Sequence, residues 1–213
     1  MWGSRTLLIT DPNLGEAACA RVSNVCTDLT WLSWNVNQPE DRPEILSQIA
    51  ARRWDLAISF YSDLILPPAA LRAIGLPLNI HPALPRIRGV GHDIVPLVEG
   101  HATVGTTLHR MEAAVDLGEI LDVQEVPLRA AQTHAGLRAL NQSLSLAMLD
   151  RLCALLVESA DPIHLEARLR NRSKRVRQRW GSYYSRADVA LLREIHEAAI
   201  PKGGADGRIA AGT

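Results

Sequence analysis

Asn79 and His81 carry side chains suited to proton chemistry, and they follow one another at the end of an apolar run. Residues two apart on a strand share one face, so we expect the amide and the imidazole to lie side by side. Asp116 comes later in the chain. An amide can donate to an oxyanion, an imidazole can shuttle a proton and a carboxylate can orient the imidazole, which together suits acyl transfer. Residue type and spacing alone fit a structural histidine with two turn residues equally well.

The segments before Asn79 predict the sheet that would carry it. Apolar runs typical of buried strands lie at 6–10, 29–36, 55–60 and 78–80. Helix-like segments lie between them, at 15–22, 43–54 and 67–75. This alternation predicts an α/β fold with a Rossmann-like, mostly parallel sheet and helices on both faces. Such sheets bind ligands at the carboxyl ends of their strands, which is where Asn79 and His81 stand.

The pattern changes after the fourth predicted strand. Residues 82–103 are rich in Pro and Gly, which indicates loops, whereas residues 106–109 and 123–128 alternate as strands do. Leucines at three- and four-residue spacing predict a long helix over 137–155 that ends before Pro162.

We expect two parts, a catalytic domain over 1–158 and a basic C-terminal extension over 159–213, with a helix after Ser185 and a disordered tail over 203–213. Seven basic residues and no acid fall within twelve positions of the extension, at Arg168, Arg170, Arg172, Lys174, Arg175, Arg177 and Arg179. A solvated stretch explains them, and so does a contact for phosphate on a nucleotide sugar, a carrier-protein phosphopantetheine or RNA. Aromatic residues follow that could stack on a base or pack the next helix onto the domain, at Trp180, Tyr183 and Tyr184.

Composition excludes several classes of protein. The 213 residues carry 23 Lys plus Arg and 23 Asp plus Glu, which argues against a surface that binds nucleic acid or anionic membrane throughout. Cys19, Cys26 and Cys153 form no C-x-x-C pair, and the histidines lack metal-ligand spacing, so we expect neither a disulfide framework nor a metal. Since we find no signal-peptide or membrane-spanning stretch, we expect a cytoplasmic protein with no membrane partner.

Two blocks of sequence resemble those of the formyltransferase family. Residues 79–89, NIHPALPRIRG, resemble its N-I-H-P-S-L-L-P-x-x-R-G signature, and residues 105–121, GTTLHRMEAAVDLGEIL, resemble its G-V-T-I-H-x-M-D-E-G-I-D-T-G-D-I-L block. Residues 55–67, DLAISFYSDLILP, are similar to the strand and turn before the first block. The first block is one residue shorter here, with Ala83 in place of Ser, and Ala113-Ala114 replace E-G in the second.

This resemblance implies the roles of several residues. It implies that Asn79, His81 and Asp116 are catalytic and that the formyl donor is 10-formyltetrahydrofolate. Asn79 and a protonated His81 would stabilise the oxyanion, while Asp116 would raise the pKa of His81 and help to remove the amine proton. The donor pocket would be lined by Tyr61, Leu64, Leu66, Arg86, Ile87, Gly89, Val90, Met111 and Val115.

His92 and Asp93 follow the Gly89-Val90-Gly91 turn and could line the acceptor site. A solvated pair that caps the next helix fits the same positions. His109, on a predicted strand, is interpreted as structural or pocket-lining.

We therefore expect a folate-dependent N-formyltransferase of one-carbon metabolism that acts on a small primary amine in specialised biosynthesis. Amino sugars, amino-acid-derived amines and carrier-bound amines stay open as acceptors. The extension is too short for the tRNA-binding domain of the methionyl-tRNA enzyme, so nucleic acid is not expected as a partner. Hydrolysis of 10-formyltetrahydrofolate and a non-catalytic folate- or RNA-binding role are the alternatives, and a homodimer stays open.

Overall fold

The computed structural model describes residues 1–129 and 133–199, so the predicted tail over 203–213 lies outside the described residues. In chain order the strands and helices are β1 (Thr6–Thr10), α1 (Gly15–Ser23), β2 (Leu29–Ser33), a short 3-10 helix (Pro39–Asp41), α2 (Arg42–Ala50), β3 (Trp54–Phe60), α3 (Pro68–Leu71), β4 (Ile74–His81), β5 (Ile87–Gly89), α4 (Val95–Val98), β6 (Thr103–Arg110), β7 (Ile120–Pro127), α5 (His134–Val157), α6 (Pro162–Ser173), β8 (Ser182–Tyr184) and α7 (Arg186–Ala199).

Six of these strands form one sheet in the order β2-β1-β3-β4-β6-β7. The first four strands pair in parallel, and β6 and β7 add an antiparallel edge beside β4. The sheet is therefore mostly parallel, as the alternation of strands and helices predicts.

Both faces of this sheet are covered. One face, which includes Leu8 and Ile58, packs against α1, α5 and α6, while the other, which includes Leu7 and Ile9, packs against α2 and α3. Neighbours Leu7 and Leu8 belong to different core clusters because successive side chains of a strand point to opposite faces. The α/β fold class with helices on both faces is confirmed.

The strand and helix ends differ from the predictions for local reasons. β2 ends at Ser33 rather than at residue 36, because its partner β1 ends at Thr10 and leaves nothing to pair with. β4 begins at Ile74, although Pro77 interrupts the sequence pattern. Pro77 is tolerated because pairing with β6 starts only at the next residue, so no neighbouring strand needs the missing N–H.

The predicted boundary at residue 158 falls between α5 and α6, and the residues after it pack on those before it. α6 contacts β7 and β4, and α7 packs on α4, where Val189 joins a small core with Ile87 and Val95. β8 pairs in parallel with β5, so that Ile87 lies beside Ser182. Neither α6 nor the β5–β8 pair is predicted from the sequence, whereas the helix after Ser185 is present as α7.

One helix of the described residues, α5, is long and apolar enough to cross a membrane by length and composition. Half of its apolar stretch is buried in the protein, and Leu137, Met148, Leu152 and Leu156 on it are fully buried. A core helix of a globular domain has the same properties, and this burial accounts for the apolar composition of α5.

Candidate active site

A cavity of 450 Å³ opens at the carboxyl ends of β3 and β4. Parallel strands end at the same edge of a sheet, so Asn79 and His81 from β4 meet the Ser59–Tyr61 end of β3 there. Asp116 reaches the same cavity from the loop between β6 and β7. The three residues predicted to be catalytic are thus brought together in one cleft, and their catalytic roles stay predictions.

His81 is held by hydrogen bonds on two sides. Its side chain is nearly inaccessible, and its Nε2–H donates to the carbonyl oxygen of Ile87 at 2.7 Å. The hydroxyl of Thr106 donates to the His81 carbonyl at 2.8 Å, which ties the end of β4 to β6. Because a carbonyl can only accept, Nε2 carries the proton, and Nδ1 is the atom that faces Asp116 at 3.7 Å from Oδ2.

Asp116 has a left-handed backbone conformation, with φ of 49°, that aims its carboxylate back at the strands. Oδ2 accepts from the main-chain N–H of Gly89 at 2.8 Å, and Oδ1 lies 3.4 Å from Nε2 of His109. Burial opposes the charged form of Asp116, but the His81 and His109 rings, when they carry a proton, together with the Gly89 N–H outweigh it, so the pKa of Asp116 lies well below its ordinary value. Its carboxylate is therefore ionised.

His109 lies between Asn79 and Asp116. The ring Nδ1–H of His109 donates to the carbonyl oxygen of Arg110 at 2.8 Å, and its Nε2 accepts from the Asn79 amide at 3.0 Å. The antiparallel register places Asn79 directly opposite His109. The sequence assigns His109 only a structural or pocket-lining role. What places His109 beside Asn79 is the register of β4 and β6, and the sequence alone does not give that register.

The protonation of His81 differs from the sequence-based expectation of an imidazolium. Burial lowers the pKa of His81 below its ordinary value of 6.5, although Asp116 and the Ile87 carbonyl oppose this effect. The imidazole is therefore neutral at neutral pH. Asp116 does favour the charged form, as expected, but burial has the larger effect.

Most residues predicted for the donor pocket line the cavity, at Tyr61, Leu64, Leu66, Gly89, Val90, Met111 and Val115. Arg86 and Ile87 do not line it. The Arg86 guanidinium turns away to the side chain of Thr103 at 2.8 Å, and Ile87 is buried in the small core under α7. Ile87 acts on the cavity only through the carbonyl that accepts from His81.

Tyr61 forms the turn at the end of β3 with a left-handed backbone, with φ of 54°. Its hydroxyl is buried and has no hydrogen-bond partner among the residues that the structure describes. Burial, together with the charge of Asp93, raises the pKa of the phenol well above its ordinary value, so it is a neutral donor. A buried, unsatisfied hydroxyl on a cavity wall fits a polar atom of a ligand.

The two candidate acceptor residues lie in different environments. His92 lines the cavity with its ring nearly perpendicular to that of Tyr61, at 5.6 Å between centroids, and burial lowers the pKa of His92 to about 4. Asp93 is buried away from the cavity, where it pairs with His134 at 3.1 Å and with Arg193 of α7 at 3.4 Å. Asp93 thus anchors α5 and α7 to the loop.

The C-terminal extension supplies part of the cavity wall, which the sequence does not predict. The residues that line it are Tyr183, Ser185, Arg186 and Ala187. Arg186 forms an ion pair with Asp63 at 2.8 Å across the rim, joining α7 to the turn after β3. The sequence feature that points to this contact is the group of aromatic residues Trp180, Tyr183 and Tyr184. Packing of these residues on the domain is one of the two interpretations that the sequence leaves open.

The seven clustered basic residues divide into two groups. Arg168, Arg170 and Arg172 on α6 pair with Glu158, Glu166 and Asp122 respectively. The remaining four, which we call the basic connector, are Lys174, Arg175, Arg177 and Arg179. They are exposed and form no ion pair within the described part of the chain. The basic connector leads from α6 directly to the cavity wall.

The structure contains no group of three or more His, Cys, Asp or Glu side chains arranged to hold a metal ion, within residues 1–129 and 133–199. Burial raises the pKa of Cys26 to about 11 and that of Cys153 to about 12, so neither thiol is an activated nucleophile.

Comparison with known proteins gives a consistent result. A family model described as formyl transferase matches residues 16–148. A methionyl-tRNA formyltransferase of Ralstonia pickettii is 29% identical over 167 residues, covering 74% of this chain and 50% of that protein. One from Ruegeria pomeroyi is 32% identical over 161 residues, covering 71% of this chain and 51% of that protein. The chain thus spans about half the length of these curated relatives.

Solved structures share the fold at low sequence identity. An N-formyltransferase from Helicobacter canadensis, in complex with folinic acid and dTDP-3-aminofucose, matches with a TM-score of 0.65 and 15% identity, over 87% of this chain and 72% of its own. A likely sugar N-formyltransferase from Mycobacterium tuberculosis matches with a TM-score of 0.67 and 20% identity, over 89% of this chain and 78% of its own. Identities this low show likeness of fold.

Proposed function

The chain belongs to the formyl transferase family, and we propose that it transfers a formyl group from 10-formyltetrahydrofolate to a primary amine. The observation that carries this proposal is the meeting of Asn79, His81 and Asp116 in one cavity, where Asn79 donates to His109 and Asp116 accepts from the N–H of Gly89. We place the activity in the cytoplasm, in one-carbon metabolism.

The cavity suits a folate donor. Its apolar wall from Leu64, Leu66, Met111 and Val115 fits a flat ring system, and the buried Tyr61 hydroxyl offers a hydrogen-bond donor on that wall. A volume of 450 Å³ lies within the range of about 300–1,000 Å³ common for small-molecule sites. When bound, the donor would supply a formyl carbon that is open to attack by an amine.

Formyl transfer makes one bond and breaks another. The amine nitrogen bonds to the formyl carbon, and the bond from that carbon to N10 of the donor breaks. Negative charge develops on the formyl oxygen, the amine loses a proton and N10 gains one. A site for this reaction needs a donor to the oxygen and a group that moves the proton.

Asn79 supplies the donor to the developing oxyanion. An amide carries two N–H groups, and His109 accepts from one of them at 3.0 Å. The second is free to point into the cavity. Since His109 fixes the orientation of the amide, the oxyanion donor is held before the substrate arrives, which avoids a cost of reorganisation during the reaction.

His81 moves the proton. Its neutral ring has an unprotonated Nδ1 that can accept the proton of the attacking amine and return it to N10. The ionised Asp116, with Oδ2 at 3.7 Å, stabilises the imidazolium that forms between these two steps. Burial keeps His81 in its unprotonated form, and the Asp116 carboxylate stabilises the ring after it takes up a proton. Together these effects suit a group that must accept a proton and then release it.

The acceptor in this proposal is an amine that also carries phosphate. The exposed, unpaired basic connector (Lys174 to Arg179) supports this class, because it leads into the cavity wall at Tyr183 and Arg186. The relatives named above act on, or are bound to, molecules with phosphate: methionyl-tRNA in one case and a dTDP-sugar in the other. Nucleotide-linked amino sugars and carrier-bound amines are the acceptors we favour.

The test is incubation with 10-formyltetrahydrofolate and a panel of amines with and without phosphate, followed by mass spectrometry. A formyl mass gain on one amine that disappears in His81→Ala would support the proposal. Folate turnover without an amine would instead identify a hydrolase. Salt-dependent RNA binding that persists in His81→Ala, with no formyl transfer, would identify a non-catalytic binding protein.

A further inference from the structure

Trp180 reaches the active site from outside the region that the family model matches. It lies between α6 and β8, and its indole N–H donates to the carbonyl oxygen of Gly118 at 2.8 Å. Its ring and that of His109 pack nearly at right angles, with centroids 4.9 Å apart and planes at 84°, and its centroid lies 6.3 Å from that of His81. One side chain thus contacts the Asp116 loop and flanks both histidines.

The backbone on either side of Trp180 is fixed. The N–H of Gly181 donates to the Pro85 carbonyl at 3.0 Å, and the N–H of Ser182 donates to the Arg86 carbonyl at 3.1 Å, at the start of the β5–β8 pair. A Cβ at position 181 would lie 2.5 Å from the Arg86 carbonyl oxygen, so only glycine allows this close approach. The indole is therefore placed by the same strand pair that carries Gly89.

The residues that Trp180 contacts need such support. His109 is tethered at Nδ1 by one hydrogen bond to Arg110, and its Nε2 must point between the Asn79 amide and Asp116. Hydrogen bonds at its two nitrogens still leave the ring free to tilt about the line between them, and the Trp180 ring packed against it blocks that tilt. Asp116 sits in the left-handed turn just before Gly118, whose carbonyl has the indole N–H as its partner.

We propose that Trp180 is a positioning residue for formyl transfer, which holds His109 and the Asp116–Gly118 turn so that Asn79 and Asp116 keep their catalytic geometry. This inference rests on the proposed function. It also gives the C-terminal extension a role in turnover, because the residue comes from the segment after α6. Trp180 acts through other side chains and moves no proton itself.

The test compares Trp180→Phe and Trp180→Ala with a matched control, Trp54→Phe. Trp54 also donates its indole N–H to a main-chain carbonyl, that of Ile49 at 2.8 Å, but it lies at the first residue of β3, at the end of that strand away from the cavity. We expect Trp180→Ala to lower kcat by about 100-fold, with the KM for the folate donor within about twofold, since small misplacements of reacting groups cost about that much. Trp180→Phe keeps a ring edge against His109 and should recover part of the loss.

A second readout does not depend on turnover. Removing the indole admits water beside His81, so the pKa of His81, followed by NMR titration of its ring, should rise towards 6.5 in Trp180→Ala and stay unchanged in Trp54→Phe. If wild-type protein transfers no formyl group but this shift occurs, the proposed function fails, and what stands is that Trp180 shields His81 from water. Wild-type kcat and an unshifted His81 in Trp180→Ala would overturn the inference, as would equal losses of kcat in Trp54→Phe.

Discussion

The main-chain N–H of Gly89 donates to Oδ2 of Asp116 at 2.8 Å, although the two residues are 27 apart in sequence. Both have left-handed backbones, with φ of 78° at Gly89 and 49° at Asp116. This bond ties the loop after β6 to β5, and it uses one lone pair of the carboxylate that faces His81. The position of Asp116 thus depends on two left-handed backbones, of which glycine adopts its own without steric cost and aspartate does not.

Gly89→Ala should destabilise the protein by about 2 kcal/mol or more, because a left-handed alanine costs about 1–2 kcal/mol and its Cβ would also lie 2.3 Å from the Tyr184 carbonyl oxygen. Gly100→Ala is the control, since Gly100 has a φ of 66° and a Cβ added there would have no atom within 4 Å, so it should cost about 1 kcal/mol. Denaturant unfolding measures both. Equal losses would show that the contact with Tyr184 contributes nothing.

Asp116→Asn should lower kcat by about 100-fold or more while the protein stays folded. The amide keeps the shape of the side chain but cannot stabilise an imidazolium at His81, and such proton-transfer partners contribute about 10²–10⁴ in rate. Asp55→Asn is the matched control, because Asp55 also accepts from a main-chain N–H, that of Arg5 at 2.8 Å, at the far end of β3. Steady-state kinetics with unchanged circular dichroism would check this, and near wild-type turnover would remove Asp116 from the mechanism.

The free energy of unfolding should fall as the pH drops from about 6.5 to about 4, partly through His92. Burial lowers the pKa of His92 to about 4 in the folded protein, whereas the unfolded chain takes up a proton near 6.5. The unfolded state therefore binds more protons in this window, which favours unfolding as the pH falls. In His92→Asn the loss of stability between pH 7 and pH 4.5 should be smaller than in wild type, and an identical slope would contradict the burial effect.

Replacing all four residues of the basic connector by Gln should raise the KM for a phosphate-bearing amine by about tenfold, because unpaired cations attract phosphate. Added salt should raise the wild-type KM in the same direction, because it screens these cations. The KM for the same amine without phosphate should not change. Arg168→Gln with Arg170→Gln is the control, since both of these arginines already pair with glutamates. An equal effect of the control, or none of the fourfold variant, would count against phosphate recognition by this segment.

The sequence was sufficient for the parts of the fold that depend on local patterns. The apolar runs locate β1 and β3 to within a residue, and the two family-like blocks bring Asn79, His81 and Asp116 to one place. These predictions succeed because strand ends and short loops determine where such side chains point.

The rest depends on contacts between distant segments. β5 has three residues in a Pro- and Gly-rich stretch, and it becomes a strand only by pairing with β8, so no local pattern could indicate it. The link from Asn79 to His109 follows from the register of β4 and β6, which one sequence does not specify. The neutral state of His81 is likewise set by burial, a property of the folded protein rather than of its neighbours in sequence.

The pairing of β5 with β8 has a consequence for the order in which this protein folds during its synthesis. The sheet that carries Asn79 and His81 can form once α5 and α6, which cover one of its faces, have been synthesised. The wall at Tyr183 and Arg186 is held in place by contacts between residues more than ninety positions apart, such as that of Arg88 with Gly181. Closing so long a loop is a late step in folding. A nascent chain that stops before β8 would therefore hold an open cleft without the wall at Tyr183 and Arg186, so we expect the proposed transfer to begin only after these residues have been added.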